Sequence, residues 1–127
     1  MCIHDKNIKN WFPLTTKSLD NNRRVLDQNG VYFIRTNKPF KRLKGHECNI
    51  LYIGQGNLYN RLWCLADLSK KWIHSAQKRV KDYKKNFPSA VLTFSFVITK
   101  NSKDKEWILI SKYNKEHLEL PPFNHQH

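Results

Sequence analysis

The sequence predicts an α+β domain: a three-stranded antiparallel sheet flanked by helices, in the order β-β-α-α-β-α. Three observations lead there. Two runs rich in β-branched and aromatic residues, GVYFIR at 30–35 and NILYIG at 49–54, are joined by a polar link with no helical pattern, so they read as an antiparallel pair. Two stretches with apolar residues at helical spacing come next. Another alternating run, SAVLTFSFVIT at 89–99, then leads into a final helical stretch.

Each element has its own local cause. Residues 1–28 read as an N-terminal arm, with Trp11 and Phe12 placed to pin it to the body and with 16–28 loop-like or weakly helical. The domain proper spans 29–127 and opens with a strand after the Asn29-Gly30 turn signal. The link at 36–48, TNKPFKRLKGHEC, is rich in Lys and Arg. Alternation in the second strand places Ile50 and Tyr52 on one face, where Tyr32 joins them if the two strands pair in matching register. A helix at 57–68 carries Leu58, Leu62 and Leu65 as its apolar stripe, and a second at 70–86 carries Ile73, Ala76, Val80 and Tyr83. Pro88 stops the second helix. The third strand has one large apolar face of Leu92, Phe94, Phe96 and Ile98. The last helix, 103–116, follows a capping residue at Asn101 or Ser102 and buries Leu109, Ile110 and Tyr113. Pro121-Pro122 forbids helix in the tail, which is expected to lie extended.

A chain of 127 residues fits one domain with a modest core. Charge is its dominant feature: 23 Lys and Arg against 10 Asp and Glu give a net of +13. Such an excess repels itself in a compact fold, so a polyanionic partner, nucleic acid first, is the inference. The chain offers neither a broad amphipathic basic helix nor an apolar run long enough to span a membrane, so no membrane partner is expected. The N-terminal segment MCIHDKNIKNWF does not read as a signal peptide, and the three cysteines are scattered. A reducing cytoplasm without a disulfide framework is therefore the expectation.

Two charges stand in unusual places. Arg61 lies among Leu58, Leu62 and Leu65, and Glu106 precedes Leu109 and Ile110 by three and four residues. Both lean toward the protein body, where an unpaired charge is costly. A buried Arg61–Glu106 salt bridge would explain them, as would side chains that snorkel outward, as would chemistry at a site.

Gly30-Val31-Tyr32, then Tyr52-Ile53-Gly54, Asn57-Leu58-x-x-Arg61, Glu106 and Pro122-x-Asn124 together resemble the GIY-YIG nuclease superfamily over about residues 29–124. Each motif alone is weak; their order, each on the expected element, carries the likeness. The segment IHSA at 73–76 and the tail PPFNHQH look most like the small phage endonuclease II type. The resemblance implies a GIY-YIG-like fold and a metal-dependent DNA endonuclease, with Tyr32, Tyr52, Arg61 and Glu106 converging on one phosphodiester and Asn124 supporting them. It implies a Mg²⁺ ion (or Mn²⁺) at Glu106, a phosphate grip at Arg61, a tyrosine that orients or deprotonates water, and no small-molecule cofactor. Double-stranded DNA is the implied partner, and the host cytoplasm the place if the protein is phage-encoded. A non-catalytic nucleic-acid-binding protein on the same fold is the alternative.

The sequence departs from the family pattern in three places. Tyr32 and Tyr52 are 20 positions apart, a longer link than is common. Gln55 stands where a lysine is usual, and Leu65 where a Tyr or His often helps the general base; His74 is a substitute for the latter. Lys38, Lys41, Arg42 and Lys44 in the long link, with Gln55, are candidate DNA contacts. So are Lys70, Lys71, Lys78, Arg79 and Lys81, part of a basic stripe on the second helix that would track phosphates without reading bases. Specificity would have to come from loops, the arm or homo-oligomerisation.

Overall fold

The computed structural model describes residue 8, residues 10–69 and residues 75–124. Its centre is the expected antiparallel pair. β2 (Asn29–Phe40) and β3 (Cys48–Asn57) run in register from Asn29 opposite Asn57 to Ile34 opposite Tyr52. β4 (Leu92–Ile98) pairs antiparallel with the other side of β2, from Gly30 opposite Ile98 to Thr36 opposite Leu92. β2 is thus central, which explains why Gly30 to Ile34 are all buried. The apolar alternation of β4 holds at Leu92 and Phe94 and then fades, and Ile98 is exposed.

The three-strand expectation needs correction. A fourth strand, β1 (Phe12–Pro13), pairs antiparallel with β4, giving the order β1-β4-β2-β3. Two residues are too short for a period-2 pattern, and proline is normally a breaker; it is tolerated here because β1 is an edge. Phe12 secures it, its ring 5.5 Å from Phe94 and 6.2 Å from Phe96. Short helices α1 (Thr16–Asn21) and α2 (Arg23–Leu26) follow, and they bury Leu19 and Leu26 completely. Thr15 starts α1 by accepting a hydrogen bond from the Ser18 amide at 3.1 Å.

Two cores sandwich the sheet. On one face α3 (Leu58–Ala66) inserts the predicted leucines Leu58, Leu62 and Leu65 beside Tyr32, Ile34 and Phe94. Burying each leucine contributes roughly 1.5–3 kcal/mol relative to leaving it exposed. Asn57 caps α3, its Oδ1 accepting from the Asn60 amide at 3.0 Å. α4 (Ser75–Asn86) adds Ala76 and Val80 to that core, while Ile73 of the expected stripe lies outside the described residues. On the opposite face α5 (Ser102–His117) packs Ile110 and Tyr113 against Val31, Phe33, Ile50 and Ile53. Asn101 occupies the cap position of α5 without a side-chain capping bond.

A bulge corrects the expected alternation in β3. Tyr52 opposes Ile34, but Ile50 opposes the very next residue, Arg35, so Leu51 is an extra residue on β3. Ile50 consequently turns to the α5 side, whereas Leu51 and Tyr52 face the α3 side. Tyr52 and Tyr32 share a face, as expected; Ile50 and Tyr52 do not.

The chain leaves α5 through Leu118 in a left-handed conformation (φ 58°). The tail then returns along the outer edge of β3. Phe123 donates its amide to the Leu51 carbonyl at 2.8 Å, and a turn from Pro121 to Asn124 closes it where a straight run was expected. Covering an edge strand in this way satisfies backbone groups that would otherwise recruit another chain.

Candidate functional site

The β2–β3 register builds the site. Tyr32 opposes Gly54 and Ile34 opposes Tyr52, so the two tyrosines stand diagonally on one face with ring centroids 5.8 Å apart. Gly54 makes room for this: a Cβ there would overlap the Tyr32 phenol and press on the Tyr52 ring. The interaction between the two phenols favours the neutral form of Tyr32 and the ionised form of Tyr52. Burial holds Tyr32 well above the ordinary phenol value; the Tyr52 and Glu106 charges add to the effect and Arg61 opposes it. Tyr52 is also raised, by burial first and by Glu106, while the neighbouring Tyr32 hydroxyl and the Arg61 charge pull it back.

Arg61 and Glu106 thus act on both phenols, arriving on helices that pack against opposite faces of the β2–β3 pair. Arg61 is exposed, so a buried ion pair is not what holds it. Its stem lies along Gly56, with Nε 2.9 Å and Cγ 3.3 Å from where a Cβ would stand, and Gly56 has φ +130°. The Arg61 side chain thus covers the turn from its stem to the start of its guanidinium. Glu106 is half-buried, one turn into α5. The start of that helix is tied to β3 by Ser102, whose hydroxyl donates to Gln55 Oε1 at 2.8 Å. Gln55 is therefore committed to positioning α5.

Asn124 reaches the other side of β3. Its Oδ1 accepts from the Ile53 amide at 3.1 Å and its Nδ2 donates to the Ile53 carbonyl at 2.9 Å. Both side-chain polar atoms are spent on the residue between Tyr52 and Gly54, so Asn124 positions this strand. Among the described residues no three His, Cys, Asp or Glu side chains cluster around a common metal position. A hard cation that keeps most of its waters needs no such cluster.

The predicted basic contacts divide into two groups. Lys38, Lys41, Lys44 and Lys78 are exposed, and Lys81 is partly so. Arg42 is turned inward: it donates to the Leu120 carbonyl at 2.7 Å and pairs with Glu119 at 2.8 Å. Arg79 is half-buried, with Nη1 3.5 Å from the Pro122 carbonyl. Lys70, Lys71 and His74 lie outside the described residues. Leu65 is a fully buried core residue.

The anchoring roles of Gln55, Arg42 and Arg79 are not legible in the sequence. Each depends on a partner at least 43 positions away, which no local pattern announces. Cys48 is disulfide-bonded, contrary to expectation, and Cys64 is a free thiol. Comparison with protein-family models, with curated proteins and with solved structures gives no match to this chain.

Proposed function

We propose that the protein is a metal-dependent DNA endonuclease of the GIY-YIG type, hydrolysing a phosphodiester by in-line attack of water. The observation that carries the reading is the tyrosine pair on one face of β2 and β3, ring centroids 5.8 Å apart, with the charges of Arg61 and Glu106 acting on both phenols.

Each side chain then has a role. Arg61, exposed and positively charged, grips a non-bridging phosphate oxygen and opposes the negative charge that develops on it. Glu106 would hold a Mg²⁺ ion, which would supply positive charge to the phosphate and to the leaving oxygen. Tyr52 faces the attacking water. Of the two phenols it is the better base, because it is less buried, so that burial opposes its phenolate less, and Arg61 favours the charged form. Tyr32 stays protonated and orients Tyr52. Asn124 fixes the strand that carries Tyr52. Attack on phosphorus breaks the bond to the 3′ oxygen, and the products are a 5′-phosphate and a 3′-hydroxyl.

The test is supercoiled plasmid incubated with wild type and with Glu106→Ala. Cleavage should disappear in the variant while a gel shift persists. Loss of the shift with cleavage unaffected would overturn the role given to Glu106. Binding without cleavage in both proteins would favour the alternative, a nucleic-acid-binding protein on the same fold.

A further inference from the structure

Beside the candidate site, the outer flank of α3 carries a groove of about 340 Å³ lined by Tyr59, Asn60, Trp63 and Cys64. Tyr59 and Trp63 are four residues apart, hence neighbours on one helix face, with ring centroids 5.5 Å apart and planes inclined by 33°. Both are half-buried rather than submerged. The Tyr59 ring is held in place twice: its hydroxyl donates to Asp20 Oδ1 at 2.7 Å, and the Arg23 guanidinium sits 4.6 Å from its centroid. Arg61 lies on the same helix, and its charge is felt at Cys64 within the groove. The groove thus combines flat aromatic walls, an exposed amide at Asn60, and two arginines on its flanks.

That combination fits one occupant, an unstacked nucleobase. Every base has a π face that an aromatic pair can hold, and the adjoining phosphate suits an arginine one helical turn away at most. Resting on the nuclease reading, we propose that the Tyr59–Trp63 groove is a nucleobase-stacking subsite. It holds one base displaced from the strand whose phosphate Arg61 grips. The protein should therefore prefer DNA in which a base is already free, such as a single-base bulge, over fully paired duplex, because unstacking is then spared.

The test measures binding in EDTA, so it does not depend on catalysis. The probes are a duplex carrying one bulged 2-aminopurine and the same duplex fully paired. Wild type should bind the bulged duplex more tightly and change its 2-aminopurine fluorescence. Trp63→Leu and Tyr59→Leu should each weaken the bulged duplex by about 5- to 150-fold, with the paired duplex little changed. Trp63→Phe, which keeps a ring, should retain most of the preference and shows that loss in the leucine variant is not misfolding. Arg61→Ala should weaken both duplexes alike. Equal affinity of wild type for the two duplexes, or a leucine variant that keeps the preference, would overturn the subsite. A preserved preference in a protein that never cuts plasmid would uphold the subsite and count against the nuclease reading instead.

Discussion

Gly54 and Gly30 show how single residues set the geometry of the site. A methyl group at Gly54 meets the two phenols, and Tyr32 has no space to retreat because it is only 1% exposed. Gly54→Ala should cost about 1–3 kcal/mol, read as a lowered urea midpoint. At Gly30 the obstacle is the Val97 carbonyl of the neighbouring strand, so Gly30→Ala should cost at least as much and no side-chain rearrangement can relieve it. The phenols make a second prediction. Both titrate higher in the folded protein than in the unfolded chain, so above the ordinary phenol value near ~10 the unfolded chain loses protons first. The stability they contribute is complete below that value and is lost as pH rises toward the raised folded values. Denaturation from neutral to alkaline pH should therefore show a decline that Tyr32→Phe flattens; an unchanged slope would mean that Tyr32 is not held in its neutral form. If Tyr52 is the base, the cleavage rate should climb with pH over the range where the protein stays folded, and Tyr52→Phe should abolish the climb. The shared face of Tyr32 and Tyr52 was legible because it needs only strand period and register. The difference between the two phenols was not, since it depends on how deeply each ring is buried.

At the level of elements, the tail is the piece on which the site's edge depends. Asn124→Ala removes two hydrogen bonds to Ile53, each worth roughly 0.5–1.5 kcal/mol, and should speed amide exchange at Ile53 while leaving the amides of central β2 protected. Arg79 supports the same tail from α4, whereas Lys78 beside it faces solvent. Neutralising Lys78 and Lys81 should thus lower the salt dependence of DNA binding, by about 0.9 in the log–log slope for each phosphate that is no longer neutralised. Arg79→Ala should instead lower stability. The long strands, the leucine stripe of α3 and the apolar positions of α5 could be read from the sequence because periodicity encodes them directly. β1 could not, because two residues carry no period. Nor could the bulge at Leu51: an extra residue in one strand is defined only against its partner.

For the molecule as a whole, a net charge of +13 on 127 residues is an electrostatic cost unless a polyanion is bound. The fold gathers the chemistry of the candidate site at one edge, where β3 meets α3, α5 and the returning tail. The helix cap at Asn57, the tie between Ser102 and Gln55, and the bond pair at Asn124 all converge on the segment from Ile53 to Asn57. This convergence makes function testable by a single assay: supercoiled plasmid with wild-type protein, in Mg²⁺ and then in EDTA, followed by ligation of any nicked or linear product. Metal-dependent cutting is expected, leaving ends a ligase can reseal, as a 5′-phosphate and a 3′-hydroxyl require. Tight, salt-sensitive binding with no cutting in Mg²⁺ or Mn²⁺ would contradict it, leaving a basic protein that grips DNA without breaking it.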